Sequence, residues 1–206
     1  QIFVLERTAW SDVAVTAAEV TSLQLFRDLF AREALRPGEE IEVGSLCVLF
    51  TDLLESTRMY REIGDARAFG LVMQHFDVLK KHIAEEDGAL VKTIGDAVLA
   101  VFRRPVSAVR ALLKSSEELS QPRPGGRPLM LKAGIHYGPC IAVTLNDRLD
   151  YFGSTVNIAA RLVGLCSGGD LIVSDEVRTD PEVRFHLAES GLKLEDVHAV
   201  LKGFDE

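Results

Sequence analysis

A chain of 206 residues, 47% hydrophobic and 26% charged, is long enough for one globular domain with a modest appendage, and its composition argues against disorder. A net charge of −8 argues against a protein that coats nucleic acid, which needs a basic face, but leaves room for a local basic pocket. No apolar run reaches the length of a membrane-spanning helix, and no signal peptide opens the chain. Cys47, Cys140 and Cys166 are odd in number, far apart and without metal-ligand spacing, so they read as buried thiols of a reducing, cytoplasmic compartment. The opening Gln1 and the ending Leu201-Lys-Gly-Phe-Asp-Glu206 suggest a piece of a longer protein, with a regulatory domain expected upstream.

Residues 1–44 read as a connector. Ile2-Phe-Val-Leu5 is a short apolar stretch, and Thr16-Ala-Ala-Glu19 has capping-box spacing. Val20, Leu23, Phe26 and Phe30 then predict one amphipathic helix, stopped by Arg36-Pro37-Gly38. That helix packs on the main domain, relays a signal, or forms a dimer contact.

From Ile41 strands and helices alternate. Leu46 to Thr51 predicts a central strand. Ser56 or Thr57 caps a helical region running to about Glu86, interrupted near Gly64-Asp65. Asp87-Gly88 leads into a hairpin of Ala89 to Ile94 and Ala97 to Phe102, turning at Gly95-Asp96. Pro105 opens the next helix, to about Leu119, and Gln121 to Pro128 is a loop. Leu129 to His136 and Cys140 to Leu145 predict a second strand pair. A helix over about Ser154 to Leu165 and a strand over Leu171 to Ser174 follow. The order begins β-α-β-β-α-β, a ferredoxin-like, split-βαβ α+β fold with extra C-terminal elements.

In that topology the third strand lies antiparallel beside the first, which brings Asp96 to Asp52. Two carboxylates held together are not comfortably ionised without a cation between them. Hard oxygen ligands point to a divalent metal, and such metals point to phosphate chemistry.

Four segments carry a resemblance: Phe50-Thr-Asp-Leu-Leu-Glu-Ser-Thr57, Lys92-Thr-Ile-Gly-Asp-Ala-Val-Leu-Ala-Val-Phe102, Gly134-Ile-His-Tyr-Gly138 and Asp150-Tyr-Phe-Gly-Ser-Thr-Val-Asn-Ile-Ala-Ala-Arg161. In order and internal spacing they resemble the class III nucleotidyl (adenylyl/guanylyl) cyclase catalytic domain, over roughly residues 44–204. The resemblance implies conversion of ATP to 3′,5′-cyclic AMP and pyrophosphate. It implies that Asp52, Asp96 and the Leu53 carbonyl hold two Mg²⁺ or Mn²⁺ ions, and that Leu53, Leu54, Glu55, Ser56 and Thr57 run beneath the triphosphate into a helix N-terminus. Asn157 would orient the ribose and Arg161 would stabilise the charge developing on the α-phosphoryl group.

Lys92 and Asp150 would read the base: adenine offers an N1 acceptor and an N6 donor, guanine the reverse pattern. Glu55 stands where the family often has Gly, and Lys202 resembles a lysine that contacts the terminal phosphates, although a solvated tail lysine explains it as well. His136 reads as a core or strand-end histidine, and Gly168-Gly-Asp170 as a turn into the next strand. Because the metal set and the base, Asn and Arg set serve one ligand from opposite ends, the resemblance implies a head-to-tail homodimer with two composite sites. A guanylate cyclase and a catalytically silent, nucleotide-sensing domain are the alternatives; a polymerase-palm relative fits less well, given Asn157, Arg161 and the acidic charge.

Overall fold

The computed structural model describes residues 15–32, 34–36, 38–121, 127–192 and 194–203. Ile2 to Leu5 and part of the 121–128 loop lie outside the described residues. The elements, in order, are α1 (Ala17–Thr21), α2 (Gln24–Phe30), β1 (Glu40–Leu53), α3 (Ser56–Ile63), α4 (Asp65–Glu85), β2 (Ala89–Ile94), β3 (Ala97–Phe102), α5 (Pro105–Ser120), β4 (Leu131–Leu145), β5 (Arg148–Phe152), α6 (Ser154–Val163), β6 (Leu171–Val173), α7 (Asp175–Arg178) and α8 (Pro181–Ser190).

The sheet runs β2-β3-β1-β4-β5, with β6 parallel to β4, so β1 to β4 form the expected split-βαβ core. Alternation along β1 sorts its side chains between two cores. Cys47, Leu49 and Leu53 face the layer built with α3, α4, α5, α7 and α8. Leu46, Val48 and Phe50 face the opposite layer, shared with α1, α2 and α6. Burial of these two apolar sets, each worth about 25 cal/mol per Å² removed from water, holds the sheet between its helices. Among the described residues, no helix is long and apolar enough to cross a membrane. The three cysteines are unpaired and buried, as expected.

Two sequence expectations need correction. The Gly138-Pro139 step is not a turn: β4 runs unbroken for 15 residues, and the hairpin turn falls at Asn146-Asp147, both left-handed in φ. Proline is tolerated there because β6 pairs with residues 133–135 of β4 and β5 with residues 141–145, leaving the stretch between without an outer strand neighbour. The Pro139 carbonyl instead accepts a hydrogen bond from Thr155 Oγ1 at 2.7 Å.

The second correction concerns the N-terminal helix. It is two short helices, with the chain breaking at Ser22-Leu23 after a genuine Thr16/Glu19 capping box. Its buried residues are Thr21, Ser22 and Arg27, whereas Leu23, Leu25, Leu29 and Phe30 are exposed. Phe26 alone of the predicted stripe joins Ala17 and Ala18 against the second core. The helical period was right for a single helix; the break rotates the apolar residues outward.

Candidate active site

Asp52 on β1 and Lys92 on β2 emerge on the face of the sheet that carries α1, α2 and α6, whereas Asp150 on β5 alternates with Leu149 and Tyr151, whose side chains pack into that layer. Asp52 follows Phe50 on that face by simple alternation. Ladder partners Thr51 and Val98 place the Gly95-Asp96 turn beside the end of β1. The two carboxyl groups meet there. Partial burial, then the charge and hydrogen bonding of Asp96, push the Asp52 carboxyl above its ordinary value, opposed by the Leu53 N–H and by Lys132 across the ladder.

Asp96 Oδ2 is buried without a hydrogen-bond partner. An orphaned carboxylate oxygen beside a second carboxyl is an environment suited to a hard cation. No group of three or more His, Cys, Asp or Glu side chains suited to a metal occurs among the described residues. Two carboxylates and a backbone carbonyl would therefore leave positions open for phosphate oxygens, the arrangement Mg²⁺ favours.

The metal-free pair carries a pH signature. A carboxyl whose native pKa is raised contributes stability that is fully present below its unfolded value, near 3.8, and lost as pH rises through the raised native value. The melting temperature of the metal-free protein is thus expected to fall as pH rises above about 4. Asp96→Asn should flatten the fall, and Mn²⁺ should restore stability most at the upper end. Parallel melting curves for the two proteins across this range would contradict the pairing.

The turn after Asp52 is tightly fixed. The Leu54 N–H donates to the Met130 carbonyl at 2.9 Å, so it is committed to the fold, and a Cβ on Gly168 would stand 3.0 Å from Leu54 Cδ2. The free N–H groups at the start of α3 therefore come after Leu54. Glu55 precedes α3 with φ 55° and ψ 33°, a left-handed conformation that costs an L-residue about 1–2 kcal/mol. This is the physical reason a glycine suits the position. The Glu55 carboxylate turns to Arg58, 3.3 Å away, which softens its repulsion toward an anion. Ser56 is half-buried and Thr57 exposed in the first turn of α3.

Lys92 reaches the second face through an irregularity. The register shifts between Leu90 and Lys92, so Val91 and Lys92 do not alternate and Lys92 lies opposite Leu99 of the second core. Such a bulge re-aims a side chain. Lys92 Nζ donates to Asp150 Oδ2, although β2 and β5 stand at opposite ends of the strand order; the sheet curls to bring them together. The Tyr151 N–H holds the other Asp150 oxygen at 2.9 Å. The Asp150 side chain is 8% exposed and that of Lys92 34%, so the lysine is the partner with freedom to turn.

Helix α6 carries Asn157 and Arg161 one turn apart, Asn157 exposed and Arg161 half-buried. Gly134 and Gly138 set where α6 can lie. A Cβ at Gly134 would stand 2.4 Å from the Ala159 carbonyl oxygen and 2.6 Å from Leu162 Cβ. One at Gly138 would stand 2.7 Å from Thr155 Oγ1. The two glycines thus open a track across β4 on which α6 seats. Lys202 is exposed in a turn that returns to this helix: a Cβ on Gly203 would stand 3.5 Å from Arg161 Nη2.

The remaining singled-out residues are structural in placement. His136 Nδ1 lies 2.8 Å from Ser174 Oγ, and burial lowers its pKa. Asp170 takes the Ser167 and Gly168 N–H groups at 3.0 and 2.8 Å, which holds its carboxyl down at about 2 and closes the turn into β6.

Residues 39–192 match the family described as the adenylate and guanylate cyclase catalytic domain. An adenylate cyclase of Lachancea kluyveri is 30% identical over 173 residues, covering 73% of this chain and 9% of the yeast protein. Adenylate cyclase 1 of Rhizobium meliloti is 30% identical over 133 residues, covering 57% of this chain and 20% of that protein. The chain thus spans a small part of the curated relatives it matches. The solved structure of the adenylyl cyclase CyaB from P. aeruginosa superposes with a TM-score of 0.66 at 22% identity, covering 82% of this chain and 92% of the other. The fold, the paired carboxyls, and the glycine track under α6 agree with a match that takes in most of the molecule: the chain belongs to the class III nucleotidyl cyclase catalytic domain family.

Proposed function

We propose that this chain converts ATP to 3′,5′-cyclic AMP and pyrophosphate, acting as a head-to-tail homodimer. The observation that carries the reading is the Lys92–Asp150 pair, an ammonium and a nearly buried carboxylate set side by side. Together they match the acceptor at adenine N1 and the donor at N6; guanine offers the opposite pattern. A site that hydrogen-bonds one pattern leaves buried groups unpaired with the other, a strong basis for discrimination.

In the reaction the ribose 3′-oxygen forms a bond to the α-phosphorus, its proton is lost, and the bond to the β-phosphate bridging oxygen breaks to release pyrophosphate. Asp52, Asp96 and the Leu53 carbonyl would hold two Mg²⁺ or Mn²⁺ ions, whose chemistry is to acidify a hydroxyl and to neutralise phosphate charge. The N–H groups at the start of α3, with Ser56 and Thr57, favour the anionic tail of the nucleotide. Asn157 orients the ribose. Arg161 places a permanent, planar positive charge where negative charge grows on the α-phosphoryl oxygens, and Lys202, on the turn beside it, adds charge toward the terminal phosphates.

Lys92 and Asp150 sit together on strands β2 and β5, while Asp52 and Asp96 meet where β1 ends beside the turn between β2 and β3. Asp150 pairs with Val143, which lies opposite Glu40 at the start of β1, twelve positions from Asp52. This supports two half-sets that complete each other across a pair of chains. In this reading residues 1–44 connect the catalytic region, 45–206, to an upstream regulatory domain, and the buried, unpaired thiols fit a reducing cytoplasm.

The test is product identification. Purified chain incubated with Mn²⁺ and equimolar ATP and GTP is expected to yield cyclic AMP in excess of cyclic GMP. Excess cyclic GMP would replace the substrate, and no cyclic nucleotide at all would favour a nucleotide-sensing role.

A further inference from the structure

Arg27 is the most unusual charge in the molecule. It comes from α2, outside the matched residues 39–192, yet it is only 6% exposed. Its Nη2 donates to the Leu149 carbonyl and its Nη1 to the Thr21 carbonyl at 3.3 Å. Its guanidinium carbon lies 5.3 Å from the centre of the Tyr151 ring. The residues it grips therefore flank Asp150 on both sides. One turn earlier on α2, Gln24 Oε1 accepts the Leu90 N–H at 2.8 Å, two residues before Lys92 and next to the bulge that aims it. A single short helix thus fastens both strands that bring Lys92 and Asp150 together.

We propose that Arg27, assisted by Gln24, is a positioning residue for base recognition: it fixes β5 around Asp150 and supplies the positive charge that stays behind when Lys92 turns from Asp150 to the base. The proposal rests on Lys92 and Asp150 being the base-reading pair. Asp150 is nearly buried and its visible direct cation is Lys92. A base that engages Lys92 removes that cation, and the neutral amino group that then donates to Asp150 brings a hydrogen bond but no compensating charge, which is costly in such a place. Arg27 does not touch the carboxylate, but it lies within electrostatic reach of it, and burial lowers the Arg27 pKa while Asp150 is among the groups that raise it. A guanidinium remains charged under those conditions. Its two nitrogens donating to two main-chain carbonyls, and its place over the Tyr151 ring, give it an orientation that an ammonium cannot copy.

The experiment compares Arg27→Gln, Arg27→Lys and Asp150→Asn in the full chain, with ATP and GTP as substrates and Mn²⁺ binding measured without nucleotide. Arg27→Gln is expected to raise KM for ATP about tenfold, the loss of one charge-assisted contact, with kcat within about twofold. Its preference for ATP over GTP should shrink, Arg27→Lys should recover part of the loss, and Mn²⁺ affinity should not move. A merely structural arginine would lower kcat and Mn²⁺ affinity together and leave base preference alone, which would overturn the proposal. If Arg27→Gln does not fold, Arg27→Lys decides: a raised KM with eroded preference supports the assignment, and unchanged values overturn it. Asp150→Asn separates the two levels. Eroded preference in Asp150→Asn without any in the Arg27 variants sinks the role of Arg27 alone; no erosion in Asp150→Asn sinks the base-pocket reading, and the proposal with it.

Discussion

Replacing Lys92 by Glu and Asp150 by Ser in one chain is expected to invert nucleotide choice, lowering kcat/KM for ATP roughly a thousandfold and raising it for GTP. The double change is required by the geometry. Lys92 donates directly to Asp150, whose side chain is 8% exposed. Lys92→Glu alone would set two carboxylates face to face in a nearly dry site, raising one pKa and loosening β5. A small residue at 150 removes that conflict and leaves room at the guanine O6 edge, while Glu at 92 accepts from guanine N1–H. Relative rates of cyclic AMP and cyclic GMP formation, with circular dichroism to verify folding, provide the measurement. A double variant that keeps full preference for ATP would show that the base is read elsewhere.

Asp96→Ala and Arg161→Ala are each expected to reduce kcat by about a thousandfold or more, for different reasons. Asp96 supplies one of the two carboxylates that meet at the end of β1, and without it the hard-oxygen pair is gone. In the proposed reaction Arg161 supplies positive charge that matters only as the phosphorus is attacked, so its loss should fall on kcat more than on KM. The two variants should part company in stability. Removing Asp96 relieves the raised Asp52 carboxyl and stabilises the metal-free protein at neutral pH. Arg161, half-buried on α6, should leave melting nearly unchanged.

Much of this site is legible from sequence because strands convert residue order into position. Asp52 and Asp96 could be brought together from topology alone, since an antiparallel neighbour puts the start of β3 at the end of β1. The spacing of Asn157 and Arg161 likewise fixes a shared helix face once α6 is assigned. What escaped depends on irregularities that no period reveals. Pro139 looks like a turn and is not, because the outer edge of β4 lacks a strand neighbour at that point. The bulge at Val91, which puts Lys92 opposite Leu99 on the face of the second core, leaves no mark in the order of residues.

Gly134 and Gly138 could be recognised as part of a motif, but their purpose as a track for α6 needs the helix in place. Glu55 was visible as an exception; its left-handed backbone explains why the exception carries a cost. Arg27 was the least legible of all. Its spacing from Leu23 and Phe30 sets it on the predicted stripe, but a charged side chain there reads as one reaching out to solvent, and the structure instead turns it onto β5.

The central claim is that the chain's two half-sets of residues complete one another across a pair of chains. Mixing inactive Asp96→Ala with inactive Arg161→Ala tests it most directly, after conditions that let subunits exchange. Random re-pairing places half of the protein in mixed dimers, each with one intact composite site, so about a quarter of wild-type Mn²⁺-dependent cyclase activity should return. Mixed dimers that form, verified by differential tagging, and still make no cyclic nucleotide would contradict the account.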